Sequence, residues 1–244
     1  MNSFAELFGY WRSRMIYDFK PFNQRKMIRF YKQFINAGDL CFDIGAHTGN
    51  RTAAFLKIGA RVVSMEPNPK FYELMTKKFG KNPNFNLLTS AIGAYPGNGK
   101  FMISSRYPTI STLSPQWKKV MLGYDSSVKW EKEQLVEVMT LNAMIETYGT
   151  PTFCKIDVEG YEEEALLGLS KPLKALSFEF FPTTPERTFA CINRLSELGN
   201  YQFNWSLTES FKMLSTNWLT KDQMTMEIDN YKDRKSGDIY AVLK

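Results

Sequence analysis

The chain has 244 residues, 43% hydrophobic and 15% aromatic, which gives it the apolar mass for a sizeable core and excludes a disordered bulk. Lysine and arginine exceed acids by 31 to 25 with no concentrated basic stripe, a pattern that admits an anionic substrate or carrier but is no nucleic-acid signature. No apolar run approaches the roughly 20 residues of a membrane span. The first segment, MNSFAELFGYWRSRMIYDFK, lacks a continuous apolar signal core. Three cysteines and one histidine form neither a CxxC pair nor a zinc set, so a reducing, cytoplasmic setting is expected and no metal ligand is assigned.

In chain order, apolar residues at Met27, Ile28, Tyr31, Phe34 and Ile35 predict a helix over 23–38, stopped by Gly38. DLCFDIG (39–45) reads as a short buried strand, and helical spacing follows from Asn50 to Ile58, with Gly59 as its stop. ARVVSMEPNP (60–69) is a second strand closed by prolines, PKFYELMTKKFG (69–80) a second helix, and FNLLTSAIG (85–93) a third strand. Strands and helices alternating at this spacing imply a parallel sheet with right-handed crossovers.

The rhythm breaks over 94–135. AYPGNGKFMISS (94–105) reads as a hairpin, and the polar stretch after it reads either as a functional loop or as mobile surface. LVEVMTLNAMIETYG (135–149) restores a strand and a helix, with Thr140 as N-cap. TFCKIDVEG (152–160) is a fourth core strand. YEEEALLGL (161–169) is a helix with acids in its first turn, where they complement the helix dipole. ALSFEFF (175–181), YQFNWSL (201–207) and GDIYAVLK (237–244) are further strands, with a proline-started helix at 185–199 and a capping box at TKDQ (220–223). The organisation expected is an N-terminal helical extension (1–37) and one domain (38–244) with an insert at about 94–135.

A glycine-rich turn between first strand and first helix is the nucleotide pocket of doubly wound sheets. A dinucleotide site shows G-x-G-x-x-G; here Asp43 precedes Gly45 and Gly49, which are four apart. An acid at that point repels a pyrophosphate and welcomes a ligand with an ammonium and a sulfonium. Glu66, at the end of the second strand, suits ribose hydroxyls. The acidic pair points to S-adenosylmethionine over a nicotinamide cofactor.

DIGAHTGNRT (43–52) resembles the D-[VI]-G-A-N-x-G-x-x-[TS] motif of the FkbM-like methyltransferases. MEPNP (65–69) resembles their second-strand acidic motif, VEVMTLNAMI (136–145) their V-x-V-x-T-L-D segment, and KIDVEGYEEEAL (155–166) their K-x-D-V-E-G-x-E motif. The resemblance covers roughly 38–182, in family order. It implies a Rossmann-like class I methyltransferase: a seven-stranded, mostly parallel α/β sheet with helices on both faces and GDIYAVLK inserted as the antiparallel last strand. It implies S-adenosylmethionine as methyl donor and a hydroxyl of a small molecule, sugar or glycan as acceptor. The donor would be held by Asp43, Gly45, Ala46, His47, Gly49, Thr52, Glu66, Ser90, Ala91 and Asp157, with Ser90 and Ala91 beside the adenine. His47 stands where the family has asparagine, and Asn142 where it has aspartate.

Methyl transfer from a sulfonium needs alignment and a path for the acceptor's proton. Asp157 and Glu159 end the fourth core strand, where ligands of open parallel sheets sit. Asp157 positions donor or acceptor, and Glu159 acts as base or binds a cation; the alternative is that both cap the Gly160 turn. Glu179, a lone acid in a buried strand, is either an acceptor-side base or a strand-end ion pair, with Lys155 a candidate partner. SSRYPTISTLSPQW (104–117) resembles the family's serine-rich segment, which makes Tyr107, Ser111, Thr112 and Trp117 candidate acceptor contacts. DVEG stands where exocyclic-amine base methylases show an Asn/Asp-Pro-Pro-aromatic tetrad, so a nucleic-acid target is not expected. N-methylation and a non-catalytic binding protein on the same fold are the alternatives. The oligomeric state is left open.

Overall fold

The computed structural model describes residues 21–244. Of the expected N-terminal extension, residues 1–20 lie outside the described residues. The rest begins with α1 (Pro21–Tyr31), shorter than the helix read over 23–38 because the chain leaves helical geometry as a turn at residues 32–34. Met27, Phe30 and Tyr31 on α1, with Phe34 and Ile35 after it, are buried.

The core sheet contains β1 (Leu40–Ile44), β2 (Arg61–Met65), β3 (Phe85–Leu88), β7 (Phe153–Ile156), β8 (Ala175–Phe180), β9 (Tyr201–Leu207) and β10 (Gly237–Leu243), in the order β3-β2-β1-β7-β8-β10-β9. β1, β2, β3, β7 and β8 pair in parallel, and β10 is antiparallel to both β8 and β9. This is the seven-stranded, mostly parallel sheet that the resemblance implies, with its strand order reversing between β1 and β7. Ligands of such sheets bind in the crevice at that reversal.

Helices pack on both faces. Side chains of a strand alternate between faces, and β1 shows the consequence. Cys41 meets α1 and α2 (Asn50–Ile58) through Tyr31, Ala54 and Phe55. Leu40, Phe42 and Ile44 face a larger cluster built with α5 (Leu141–Tyr148), α6 (Glu162–Leu167), α7 (Pro185–Leu198) and α8 (Lys221–Asn230). The same parity assigns Phe153 and Tyr240 to the α1 side, against which Phe34 stacks at 5.1 and 5.6 Å. Asp43, Lys155 and Asp238 therefore share that side with Glu179, which lies opposite Asp238 in the β8–β10 register.

Local chemistry fixes the helix ends. Gly59 takes a left-handed φ of +99° to stop α2, Asn68 caps α3 (Pro69–Phe79), Thr140 caps α5, and Thr220 and Gln223 form a reciprocal capping box at α8.

Two expectations are corrected. FNLLTSAIG is not one strand: β3 closes the edge of the main sheet, while β4 (Ala91–Ile92) leaves it to pair with β6 (Lys132–Met139). AYPGNGKFMISS is not a local hairpin either. Its strand, β5 (Gly97–Ile103), pairs antiparallel with β6, so the insert is framed by a small β4-β6-β5 sheet. Between β5 and β6 lie a 3-10 turn (Pro108–Ile110) and α4 (Pro115–Tyr124). Among the described residues no helix is long and apolar enough to cross a membrane, and Cys41, Cys154 and Cys191 are buried free thiols.

Candidate active site

A cavity of about 290 Å³ opens at the carboxyl ends of β1, β2 and β7. Its floor is the β1–α2 turn. Gly45 and Ala46 both donate backbone N–H to the Met65 carbonyl, at 3.0 and 3.1 Å, so the turn folds across the end of β2. Gly45 has a φ of +76°, and a Cβ there would stand 1.8 Å from the Asp157 carbonyl oxygen. Only glycine lets the turn pass that close to the end of β7.

Asp43 lies beneath this turn, 1% exposed. Its Oδ2 accepts the Thr52 backbone N–H at 2.9 Å and the Thr52 hydroxyl at 2.6 Å. Burial pushes its carboxyl up, against the pull of Lys155 and the Thr52 hydroxyl. Thr52 does not line the cavity; it stands behind Asp43 and also meets Ser64 Oγ at 2.7 Å. Glu66 forms the opposite wall. Oε2 accepts the His47 backbone N–H at 2.7 Å and Oε1 that of Asn68 at 2.8 Å, while burial raises the carboxyl to about 7. Each oxygen keeps a lone pair for a further donor. The His47 backbone has a φ of +51°, and its ring packs 4.0 Å from that of Phe71, both in the cavity wall. Gly49 lies outside the wall and starts α2 at a φ of +80°, where a Cβ would stand 2.6 Å from the Phe79 ring.

Ala91 lines the cavity beside Ile92. Ser90 does not; its hydroxyl donates to Glu137 at 3.0 Å. Ser111 lines the cavity too, whereas Tyr107, Thr112 and Trp117 do not. Trp117 is fully buried, its ring 4.1 Å from Phe181 and so tight on Gly160 that a Cβ there would stand 2.9 Å from it. Thr112 donates its hydroxyl to the Glu159 carbonyl at 2.8 Å. These two residues brace the Asp157–Gly160 turn instead of forming its acceptor wall.

That turn carries the carboxylates. Asp157, Glu159 and Glu179 each place an oxygen within 4.8 Å of the other two, a grouping able to hold a cation. Lys155 already brings one: its Nζ lies 2.5 Å from Asp157 Oδ2. Lys155 thus pairs with its own strand neighbour, not with Glu179. Burial works to raise Asp157, but Lys155 and a hydrogen bond with Glu179 prevail and hold it below the usual range. Burial, then the Asp157 charge, pushes Glu159 and Glu179 well up. Glu159 has a left-handed φ of +54°. Glu162 holds its turn from within, Oε1 accepting the backbone N–H of Val158 at 2.9 Å and Gly160 at 3.3 Å. Arg187 holds it from without, donating to the Gly160 carbonyl.

Sequence reasoning missed Arg51, Glu209 and Asp238, all in the cavity wall. Arg51 Nη1 lies 2.7 Å from Glu209 Oε1, and Nη2 lies 4.0 Å from Asp238 Oδ2. Asp238 carried the same signal as Glu179, an acid in a buried strand; Arg51 lay unweighed inside the quoted turn motif.

Comparison with known proteins gives the following. A family model described as methyltransferase FkbM domain matches residues 43–204. A curated relative, hexuronic acid methyltransferase AglP of Haloferax volcanii, is 21% identical over 157 residues, 64% of this chain. The match covers 60% of that relative's length. Among solved structures, a TehB-like SAM-dependent methyltransferase from Corynebacterium glutamicum superposes with a TM-score of 0.49 at 10% identity, over 96% of this chain and 95% of that one. Aeropyrum pernix fibrillarin, solved with natively bound S-adenosyl-L-methionine, gives a TM-score of 0.45 at 14% identity, over 86% and 68%.

Proposed function

This chain belongs to the FkbM methyltransferase family, whose methyl donor is S-adenosylmethionine, and from that premise we propose that it methylates a hydroxyl group of a sugar, glycan or similar small molecule. The observation that carries the donor reading is the cavity at the sheet's reversal, with a glycine-only turn as its floor and Asp43 and Glu66 on its walls. The sugar reading draws support from the Haloferax volcanii relative, named for a hexuronic acid.

Each residue has work suited to its environment. The lone pairs left on Glu66 accept the ribose hydroxyls, and the His47 and Asn68 backbones fix its orientation. Asp43, buried behind the turn, offers negative charge to the donor's amino acid end, with Thr52 fixing its rotamer. When bound, S-adenosylmethionine supplies a methyl group on a sulfonium, whose S–C bond breaks as the acceptor's O–C bond forms. Asp157 stays ionised through Lys155 and orients the acceptor hydroxyl in line. In its ionised form Glu159, made more basic by burial and then by the Asp157 charge, takes up the hydroxyl proton, and Glu179, pushed toward its protonated form by the same causes, hydrogen-bonds Asp157.

The reading is tested by incubating the protein with methyl-labelled donor and a panel of glycosides and hydroxylated small molecules, then following label transfer. The Asp157→Asn variant should bind S-adenosylhomocysteine normally and transfer no label. Equal transfer by that variant and the wild type would remove Asp157 from the chemistry.

A further inference from the structure

The charged lining of the cavity is lopsided. Among the described residues it carries seven carboxylates against one lysine and one arginine, besides His47. Both long cations are engaged: Lys155 by Asp157 at 2.5 Å, Arg51 by Glu209 at 2.7 Å and Asp238 at 4.0 Å. Glu209 lies on the segment after β9, where Thr208 and Phe211 take left-handed φ values of +48° and +50°. Phe211 covers the guanidinium at 5.5 Å. The positive charge of Arg51 is thus spent on the protein's own acids. With Asp43 and Glu66 assigned to the donor, Glu159 and Glu179 at the transfer end have no ion-pair partner among the described residues. An acceptor carboxylate entering there would lose its water beside the ionised Asp157, with no unspent lysine or arginine among the described residues to receive it.

We infer that the site selects an acceptor that is uncharged or basic where it enters, a neutral or amino sugar, and excludes a sugar acid. This rests on the reading of the cavity as the site of methyl transfer. It separates this chain from the hexuronic acid in its Haloferax volcanii relative's name. Glu209 is the residue that sets the exclusion through Arg51, since neutralising it frees a guanidinium in the cavity wall.

The test uses the full chain loaded with S-adenosylhomocysteine in excess chelator, so that side chains alone set the charge. Matched methyl glycosides of gluco, galacto and manno configuration are titrated in neutral, 2-amino and uronic acid forms, into the wild type and Glu209→Gln. The expected result is that at least one neutral or amino glycoside binds about tenfold more tightly than its uronic partner, and that Glu209→Gln narrows that gap about threefold. A uronide that binds as tightly as its neutral partner overturns the inference, as does a protein that takes up S-adenosylhomocysteine and binds none of the neutral or amino forms. An unchanged gap in Glu209→Gln overturns the role given to Glu209 and Arg51. Failure to take up S-adenosylhomocysteine is read first, and it overturns the methyl-transfer reading itself.

Discussion

Lys155 and Asp157, two residues apart at the end of β7, form a closed ion pair: Nζ lies 2.5 Å from Oδ2, with the lysine side chain 3% exposed and the aspartate 30%. The lysine is buried on the α1 side of the sheet, so its charge is stable there only with its acids, Asp157 first and Asp238 next. Lys155→Met removes the cation and leaves Asp157 among other carboxylates. The expected cost is roughly 3 kcal/mol of folding stability, the low end for a broken buried pair because Asp157 keeps some water. The acid limb of the kcat profile should also move to higher pH as Asp157 becomes harder to ionise. Urea denaturation and a pH–rate series check both; an unchanged acid limb would mean that Lys155 does not set the charge of Asp157.

Gly45→Ala and Gly38→Ala form a matched pair. Both glycines have positive φ, +76° and +88°. A Cβ at Gly38 meets nothing within 4 Å, so only left-handed strain is added, about 1 kcal/mol. A Cβ at Gly45 meets the Asp157 carbonyl at 1.8 Å, and that backbone atom follows directly on β7, where the Asp157 N–H is tied to the Ile44 carbonyl at 3.0 Å. Thermal melts should show a small shift for Gly38→Ala. Gly45→Ala should show a much larger one, with loss of donor binding in whatever folds. Equal shifts would contradict the close crossing of turn and β7.

Glu66 gives a pH dependence whose sign follows from its direction. Burial raises it from 4.5 to about 7, so the folded state holds its proton more tightly than the unfolded state does. Its contribution to stability is complete below about 4.5 and is lost as pH rises through 7, a span of about 3 kcal/mol. The donor-free protein should therefore lose stability over that window, and Glu66→Gln should lose less. Stabilisation by bound S-adenosylhomocysteine should grow over the same window, because the ionised form is the better ribose acceptor. Melting curves at matched ionic strength from pH 5 to 8 would show no slope difference between the wild type and Glu66→Gln if Glu66 were ionised throughout.

Arg187 links the carboxylate turn to the insert: it donates to the Gly160 carbonyl and reaches Ser114 Oγ at 3.5 Å. It touches no reacting atom and acts as a positioning residue. Arg187→Ala should lower kcat roughly 10- to 100-fold, with the affinity for S-adenosylhomocysteine within about twofold of wild type. Arg187→Lys should restore part of kcat. A parallel fall of kcat, donor affinity and Tm would indicate a general structural role.

The sequence made legible what depends on neighbours in the chain. Helix ends at Gly59, Thr140 and Thr220 follow from backbone conformation and side-chain caps, and each lies where local chemistry puts it. Glycine spacing and strand-end acids likewise marked Asp43, Gly45 and Glu66, which the structure places around one cavity, because a tight turn at a strand end is local. What escaped depends on distant segments. The pairing of β5 with β6 spans some thirty residues, and the defection of Ala91–Ile92 from the main sheet is decided by β6, not by its own composition. Thr112 and Trp117 have the residue types of a sugar pocket, yet they brace Glu159 and Gly160. A hydroxyl or a ring does not declare which way it faces. Arg51 became visible as a site residue only when Glu209 and Asp238, far along the chain, closed around it.

The central claim is that the cavity over Gly45 holds the methyl donor between Asp43 and Glu66. It is tested most directly by isothermal titration of S-adenosylmethionine and S-adenosylhomocysteine into the wild type, Asp43→Ala and Glu66→Gln. Circular dichroism confirms that each variant is folded. The account predicts micromolar binding by the wild type and a loss of about tenfold or more in each folded variant. A folded wild type that binds neither ligand, or variants that bind as tightly as the wild type, would contradict it.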